Sequence, residues 1–432
     1  MNRESVNMRI PDWVILYTIA STTLYMISRN LPLGSGSFAF VWAPITLVFI
    51  FSLRPKTFIK GPMKNLLIYG MLMVGILQYT LWQNMNDWNQ IRILYEFYYL
   101  VIMTAILYYY WGKGELRRLA LLSKWTFVFI IITLITTNIA LYLDPNLVRE
   151  AARTGMFSDY QENIYKYTGA MGYGYIQAVI LLIPILVYHI KRKKRMVFSP
   201  KVLIAILILI LITEIRAQVF ANVLVTALIT ILSVLGSKKR RVSFVTISLV
   251  GILFTVIPNT FYSNLFYSLS SNFNTESEMY YKLTDFAKFI ENPDLDTSTG
   301  AGGRAERYPL LLGALQANPI FGHASGTSSL NIDLGAHLYW MNRLALWGIP
   351  GFLFFLFVLF KIFKSIGSLF DDGYRFYYFL SVVAFIIMGL SKAIGGTEVW
   401  LMLIVFIPGL YFLPLLQPTR RVKPIQKEIE AN

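Results

Sequence analysis

The sequence predicts an all-α polytopic integral membrane protein, and three observations predict it. Hydrophobic residues make up 56% of the 432 residues and charged residues only 14%, well below the quarter usual for soluble domains. Apolar runs of ~20 residues recur from one end to the other, the length a helix needs to cross a hydrocarbon core ~30 Å thick. The basic excess, a net charge of +16, gathers in short segments between those runs. That pattern fits orientation in a membrane, so no nucleic-acid partner is expected. Cysteine is absent, which excludes disulfides and thiolate metal sites.

Taken in order, about twelve transmembrane helices are expected. Residues 13–28 open the series as a retained helix, because no small-residue cleavage site follows them. Spans over 38–53, 65–84, 91–111, 119–143 and 168–189 come next. Residues 202–235 exceed a single span, and two short helices, 202–215 and 219–235, meeting at Glu214-Ile215-Arg216 fit them better. Spans over 242–262, 338–360, 376–390 and 399–415 complete the set. The chain divides accordingly into helices within 1–262, a large loop over 263–336, further helices within 337–416 and a tail over 417–432.

Charge orients this series. With both termini cytoplasmic, the inner segments collect Arg54 and Lys56, Arg117 and Arg118, Lys191 to Arg195, Lys238 to Arg241, Lys361 and Lys364. Roughly two thirds of the 39 basic residues fall inside, and most of the others lie in long loops that count little toward orientation. Two long segments then face outward, 144–167 and 263–336.

A structureless loop as long as 263–336 is improbable unless it has a function. Met279, Leu283, Phe286 and Ile290 fall at helical spacing and Asn292-Pro293 stops the run, which predicts an amphipathic helix lying on the membrane surface. The glycine-rich stretch 297–303 follows as a hinge. A second helix over 305–317 is then expected to end at Asn318-Pro319.

Few residues here carry chemistry. Arg216 sits in a tight outward turn between two apolar helices, where arginine is costly. It reads either as a phosphate-binding group or as an anchor that snorkels to the interface or pairs with Glu214. Arg304 and Arg307 open a helix after the glycines. Guanidinium forks and helix-start N–H groups both suit phosphate, although a solvated basic face is the other reading. His337 stands where the long loop enters the next span, and a neutral imidazole there can take a proton from a hydroxyl. His323 in a turn and Asp333 close by in sequence are candidate substrate contacts, Asp333 as an orienting partner of His337. His189 adjoins a basic cluster and reads as structural. Arg92 and Glu96 read as an i, i+4 ion pair, and Lys392 and Glu398 flank a short outer loop. No P-loop, dinucleotide fingerprint, His-x-x-x-His pair or nucleophile elbow occurs, so chemistry driven by nucleotide hydrolysis is not expected.

These residues together resemble the O-antigen ligase and polymerase superfamily of bacterial membrane glycosyltransferases, which includes the Wzy-type polysaccharide polymerases. The resemblance rests on Arg216, Gly303-Arg304, Asn318-Pro319-Ile320-Phe321-Gly322, His337 and Gly348-Ile349-Pro350-Gly351. The sequence reads Ile-Arg-Ala at Arg216 where the family favours Ser-Arg-Gly, and the first half of the chain matches in hydropathy alone. The resemblance implies a GT-C-like helical enzyme in the bacterial cytoplasmic membrane, with its site on the extracytoplasmic face. Arg216 and Arg304 would hold the diphosphate of an undecaprenyl-linked oligosaccharide, and His337 would help activate the acceptor hydroxyl, with no metal, nucleotide or other cofactor needed; Arg307, read above as a phosphate-binding candidate, would add to the same grip. Donor and acceptor would both be lipid-linked, and membrane lipids and a chain-length regulator protein are the further partners expected. A repeat-unit polymerase is the leading expectation. A ligase of the same superfamily, or a flippase of lipid-linked oligosaccharide, are the alternatives.

Overall fold

Long apolar segments with few internal glycines fold as helices because water is absent from the bilayer core and backbone groups must bond within the segment. A computed structural model of the chain describes residues 8–25, 41–59, 63–72, 91–149, 158–192, 198–236, 259–292, 307–322 and 337–416. Among these, every regular element is helical. The main ones, in order, are α1 (Ile10–Thr23), α2 (Ala43–Leu53), α3 (Ile91–Trp111), α4 (Leu116–Leu143), α5 (Asp159–Thr168), α6 (Tyr173–Ile180), α7 (Ile183–Arg192), α8 (Pro200–Arg216) and α9 (Phe220–Leu235). Then follow α10 (Asn259–Ser270), α11 (Glu278–Glu291), α12 (Arg307–Ala317), α13 (Tyr339–Gly367), α14 (Asp372–Gly389) and α15 (Thr397–Trp400). The last of these continues through a π-helical turn, Leu401–Phe406, into α16 (Ile407–Tyr411).

Three helices among the described residues are long and apolar enough to cross a membrane: Leu116–Leu143, Tyr173–Arg192 (α6 and α7 in line) and Tyr339–Gly367. The outward faces agree with that. Ile204, Ile208, Ile212 and Ile215 are all exposed along one side of α8, and Leu353, Phe357 and Phe360 along α13. Apolar stripes of this kind are rare on a surface that meets water. The chain is thus a helical membrane protein.

The 28-residue α4 packs one face against α1, α3, α5, α8 and α16 and leaves Ile132, Ile135 and Ile139 exposed on the other, whereas the span formed by α6 and α7 is the most buried of the three. Small and polar residues bring the neighbours of α4 close, as is usual between helices in lipid. Gly409 of α16 rests directly on the Ser123 side chain. Thr133 Oγ1 donates to the Thr23 carbonyl at 2.6 Å, and the Tyr175 hydroxyl to the Ile130 carbonyl at 2.5 Å. At the end of the bundle where α1 and α4 begin, a charged network closes the core. Asp12, only 3% exposed, accepts from the Tyr110 hydroxyl at 2.9 Å and from the Arg9 N–H at 2.7 Å, and pairs with Arg118 at 3.4 Å.

Five local features depart from the sequence reading. The single span expected over 338–360 is broken at Gly348, whose φ of 66° is not helical, and Pro350 just beyond it supplies no N–H. The expected outer segment 144–167 contains α5, started by a capping box in which Ser158 and Gln161 exchange bonds and stopped by Gly169 in the left-handed region. This short helix also displaces the start of the following span from 168 to Tyr173. Finally, the apolar face of α11 does not rest on a membrane surface. Met279, Leu283 and Ala287 are buried against Phe266 of α10, with the Phe266 and Phe286 rings 4.9 Å apart. The α10 helix itself runs unbroken through residues 262 and 263, where a span was expected to give way to loop. The expected Arg92–Glu96 pair lies outside the side chains described.

Candidate functional site at one end of the bundle

Antiparallel neighbours bring the ends of α4, α8 and α14 and the starts of α6, α9, α13 and α15 to one end of the bundle. The connections are explicit. Ala217 and Val219, after α8, pack with Leu141 of α4 and Ile176 of α6. Short α15 packs on α6, and the Glu398 carboxylate lies so close to Gly174 that a Cβ there would sit 3.3 Å from Oε2. The Tyr339 N–H donates to the Lys392 carbonyl at 3.1 Å, which fastens the start of α13 to the segment after α14. The Tyr308 hydroxyl donates to the Leu390 carbonyl at 2.7 Å and secures the start of α12 there too.

Arg216 is the last residue of α8, and the chain reverses through Ala217, Gln218 and Val219 before α9 begins. Two helices with a turn between them is the arrangement the sequence favoured over one broken helix. Gln218 makes the reversal with φ of 55°. The half-buried guanidinium turns toward α4: Nη1 donates to the Asn138 carbonyl at 3.2 Å, and the group lies 5.2 Å from the Tyr142 ring centroid. Asn138 in turn donates through its amide to Thr213 Oγ1 and to the Leu134 carbonyl. Arg216 is therefore held by α4 and not by Glu214. On the other side of the turn, Lys282 Nζ of α11 donates to the Gln218 carbonyl at 2.8 Å.

His337 precedes α13, with an exposed side chain. Its carbonyl accepts from the Asn342 amide. Leu338 follows with φ of 64° and ψ of 59°. A bulky residue in this left-handed region costs of order 1–3 kcal/mol and persists only where surrounding packing fixes it. Here Leu338 is 1% exposed and Tyr339 2%. Arg307 is the first residue of α12, half-buried, and α12 packs against α13. The segment 318–322 then lays its backbone on α13: the Ile349 N–H donates to the Pro319 carbonyl at 2.8 Å.

The structure therefore places Arg216, Arg307 and His337 at the same end of the bundle. Arg307 and His337 belong to the paired α12 and α13, whereas the contacts of Arg216 lie on α4. The link between the two groups runs through α6 and α15. Arg304, His323 and Asp333 lie outside the described residues. His189, 7% exposed, packs its ring edge-on to Tyr188, near the opposite end, in keeping with a structural role.

Arg343 is a residue the sequence reading missed. It lies six positions after His337 on the first part of α13, its guanidinium 4.7 Å from the Tyr339 ring centroid and 5.5 Å from that of Trp347. Stacking against rings fixes the plane of a guanidinium. The available signal was an arginine inside a span predicted from hydropathy, with aromatic residues four positions to either side.

No family model matches the chain, and comparison with curated proteins found no match. Chemically, the end of the bundle offers cations held by aromatic and carbonyl contacts, together with an exposed imidazole, at the rim of an apolar helical body.

Proposed function

We propose that this protein is a membrane glycosyltransferase of the polysaccharide-polymerase type. It would transfer a glycan from undecaprenyl diphosphate to a sugar hydroxyl on a lipid-linked repeat unit. In this reading the chain crosses the bacterial cytoplasmic membrane about twelve times in a GT-C-like arrangement, with both termini inside and the Arg216 end outside. The observation that carries the reading is that Arg216, Arg307 and His337 stand at one end of an apolar bundle, where the headgroups of lipid carriers lie.

The chemistry needs little more. Arginines neutralise the diphosphate and stabilise the charge it gains as a leaving group, the part a metal plays elsewhere. The acceptor oxygen attacks the anomeric carbon of the donor glycan as the bond from that carbon to the phosphate oxygen breaks. The electron pair leaves with the lipid diphosphate, and the hydroxyl proton passes to the His337 imidazole. Attack opposite the leaving group inverts the anomeric centre. Arg304 would complete the diphosphate grip, with His323 and Asp333 near the sugar.

The test is polymerisation in vitro with purified protein and purified lipid-linked repeat unit. Wild-type protein should lengthen the glycan, and Arg216→Ala, Arg304→Ala and His337→Ala should not. Normal chain growth by these variants would overturn the assignment. Transfer of finished glycan to a different acceptor, without lengthening, would point to a ligase.

A further inference from the structure

Below the Arg216 turn lies a polar cluster that the proposed transfer does not use. Glu214, in the last turn of α8, has no exposed surface. One of its carboxylate oxygens accepts from Thr226 Oγ1 of α9 at 2.7 Å, and the other has no partner. Asn222 stands one helical turn from Thr226 on the same face of α9. It is equally buried, and neither Oδ1 nor Nδ2 has a partner. Gln218, in the turn between the helices, also holds its Oε1 buried and unpartnered.

The imbalance identifies what is missing. Three buried oxygen acceptors on this one hairpin lack a donor, against a single unused amide N–H group, and buried acceptors ordinarily find a partner. The carboxylate also lacks a counter-charge. Arg216 is the nearest cation in sequence, yet its guanidinium turns to Asn138 and Tyr142. The helix end makes matters worse, because the C-terminal turn of α8 carries the negative pole of the macrodipole. Buried carboxylate and amide oxygens suit a hard cation. With one carboxylate present, a single positive charge balances it.

We propose that Glu214, Gln218, Asn222 and Thr226 form a binding site for a small monovalent cation of the sodium class inside the α8–α9 hairpin. The ion would tie the two helices together just beneath the turn and so fix the direction in which Arg216 points. This site stands independently of the glycosyltransferase reading, because it rests on the hairpin alone.

The experiment is thermal unfolding of the full-length protein in lipid nanodiscs, in sodium chloride against choline chloride at equal ionic strength. Sodium should raise the Tm by a few degrees in a saturable manner, as any ligand bound to the folded state alone does. Glu214→Gln, nearly isosteric, should abolish the response, and Asn222→Ala should weaken it. An exposed variant such as Ser52→Ala should keep it. Where a hairpin variant fails to fold, sodium-23 line broadening by the wild-type protein reads binding directly. A wild-type Tm equal in the two salts, no line broadening, or a full response in Glu214→Gln would overturn the proposal.

Discussion

Gly322 and Gly348 press backbone against backbone. A Cβ on Gly322 would land on the Gly348 nitrogen and the Leu346 carbonyl, and a Cβ on Gly348 on the Ile320 carbonyl. Both residues also adopt positive φ, 65° and 66°, which glycine alone takes without strain. The two glycine motifs that appeared separately in the sequence are thus the two sides of one joint, which bends α13 and seats the end of α12 against it. Their role is to bring chains together, while the cations around them supply the chemistry.

Replacing either glycine should therefore be severe. Gly322→Ala and Gly348→Ala should each destabilise the protein by at least ~2 kcal/mol, from left-handed strain and a clash with backbone that cannot rotate away. Gly313→Ala, on the open side of α12 with nothing within 4 Å of its Cβ, should be neutral or stabilising by ~0.5–1 kcal/mol. Tm measured by intrinsic fluorescence distinguishes them.

The opposite end of the bundle depends on Asp12. Removing the carboxylate in Asp12→Ala leaves Arg118, 10% exposed at its side chain, with Glu115 as its remaining partner at 3.4 Å, and takes away the acceptor for the Tyr110 hydroxyl. The expected loss is ~2–3 kcal/mol, below that of a buried pair broken outright because Glu115 still balances the guanidinium. Tyr110→Phe removes one hydrogen bond to a charged group and should lose ~1.5–3 kcal/mol. The double variant should cost less than the sum, which a double-mutant cycle on Tm would read.

Arg216 should matter for activity more than for folding. Its two contacts are one carbonyl bond and one ring face, both partly open to solvent, so Arg216→Ala should shift the Tm little. Turnover in the polymerisation assay should fall by ~10²-fold or more if it stabilises the leaving diphosphate. Arg216→Lys keeps the charge but loses the planar fork and should rescue only partly. Wild-type turnover in either variant would remove Arg216 from the site.

His337 and Asn342 should separate chemistry from positioning. His337→Ala removes an exposed side chain, so stability should hold while kcat falls by ~10²–10⁴-fold. Asn342→Ala removes the amide that bonds the His337 carbonyl and should lower the Tm as well as kcat. An unchanged kcat in His337→Ala would exclude the imidazole as the proton acceptor.

Arg343 makes a further prediction about the same surface. If its ring-stacked guanidinium meets a phosphate, Arg343→Lys should raise KM for the lipid-linked substrate with little effect on Tm, since a lysine retains charge but not the stacking. A normal KM would assign Arg343 to packing alone.

Much of the fold could be read from hydropathy, because a segment that must bond its own backbone in lipid has few options other than a helix. The reversal at Arg216 was legible for a related reason: 202–235 is too long for one crossing and carries its polar residues in the middle. The break at Gly348 was not legible. Its neighbours are apolar, and only the arrival of Ile320 and Pro319 against the backbone shows why a straight helix cannot form there. The packing of α11 was hidden similarly. A 3.6-residue apolar period specifies that a face is covered, but the same period fits a lipid surface and the side of α10.

The candidate site divides along the same line. Residue types and the order of apolar and basic segments were determined by the sequence, and these were sufficient to single out Arg216, Arg307 and His337. Only the tertiary structure decided that Arg216 bonds to α4 and leaves Glu214 buried without a counter-charge, and that Arg343 is fixed between two rings. Helix formation follows from local hydrogen bonding and burial, which a short stretch of residues encodes. Which groups meet depends on the rotation and approach of helices far apart in the chain, and small residues such as Gly322, Gly348 and Gly409 set that approach through contacts that no local pattern records.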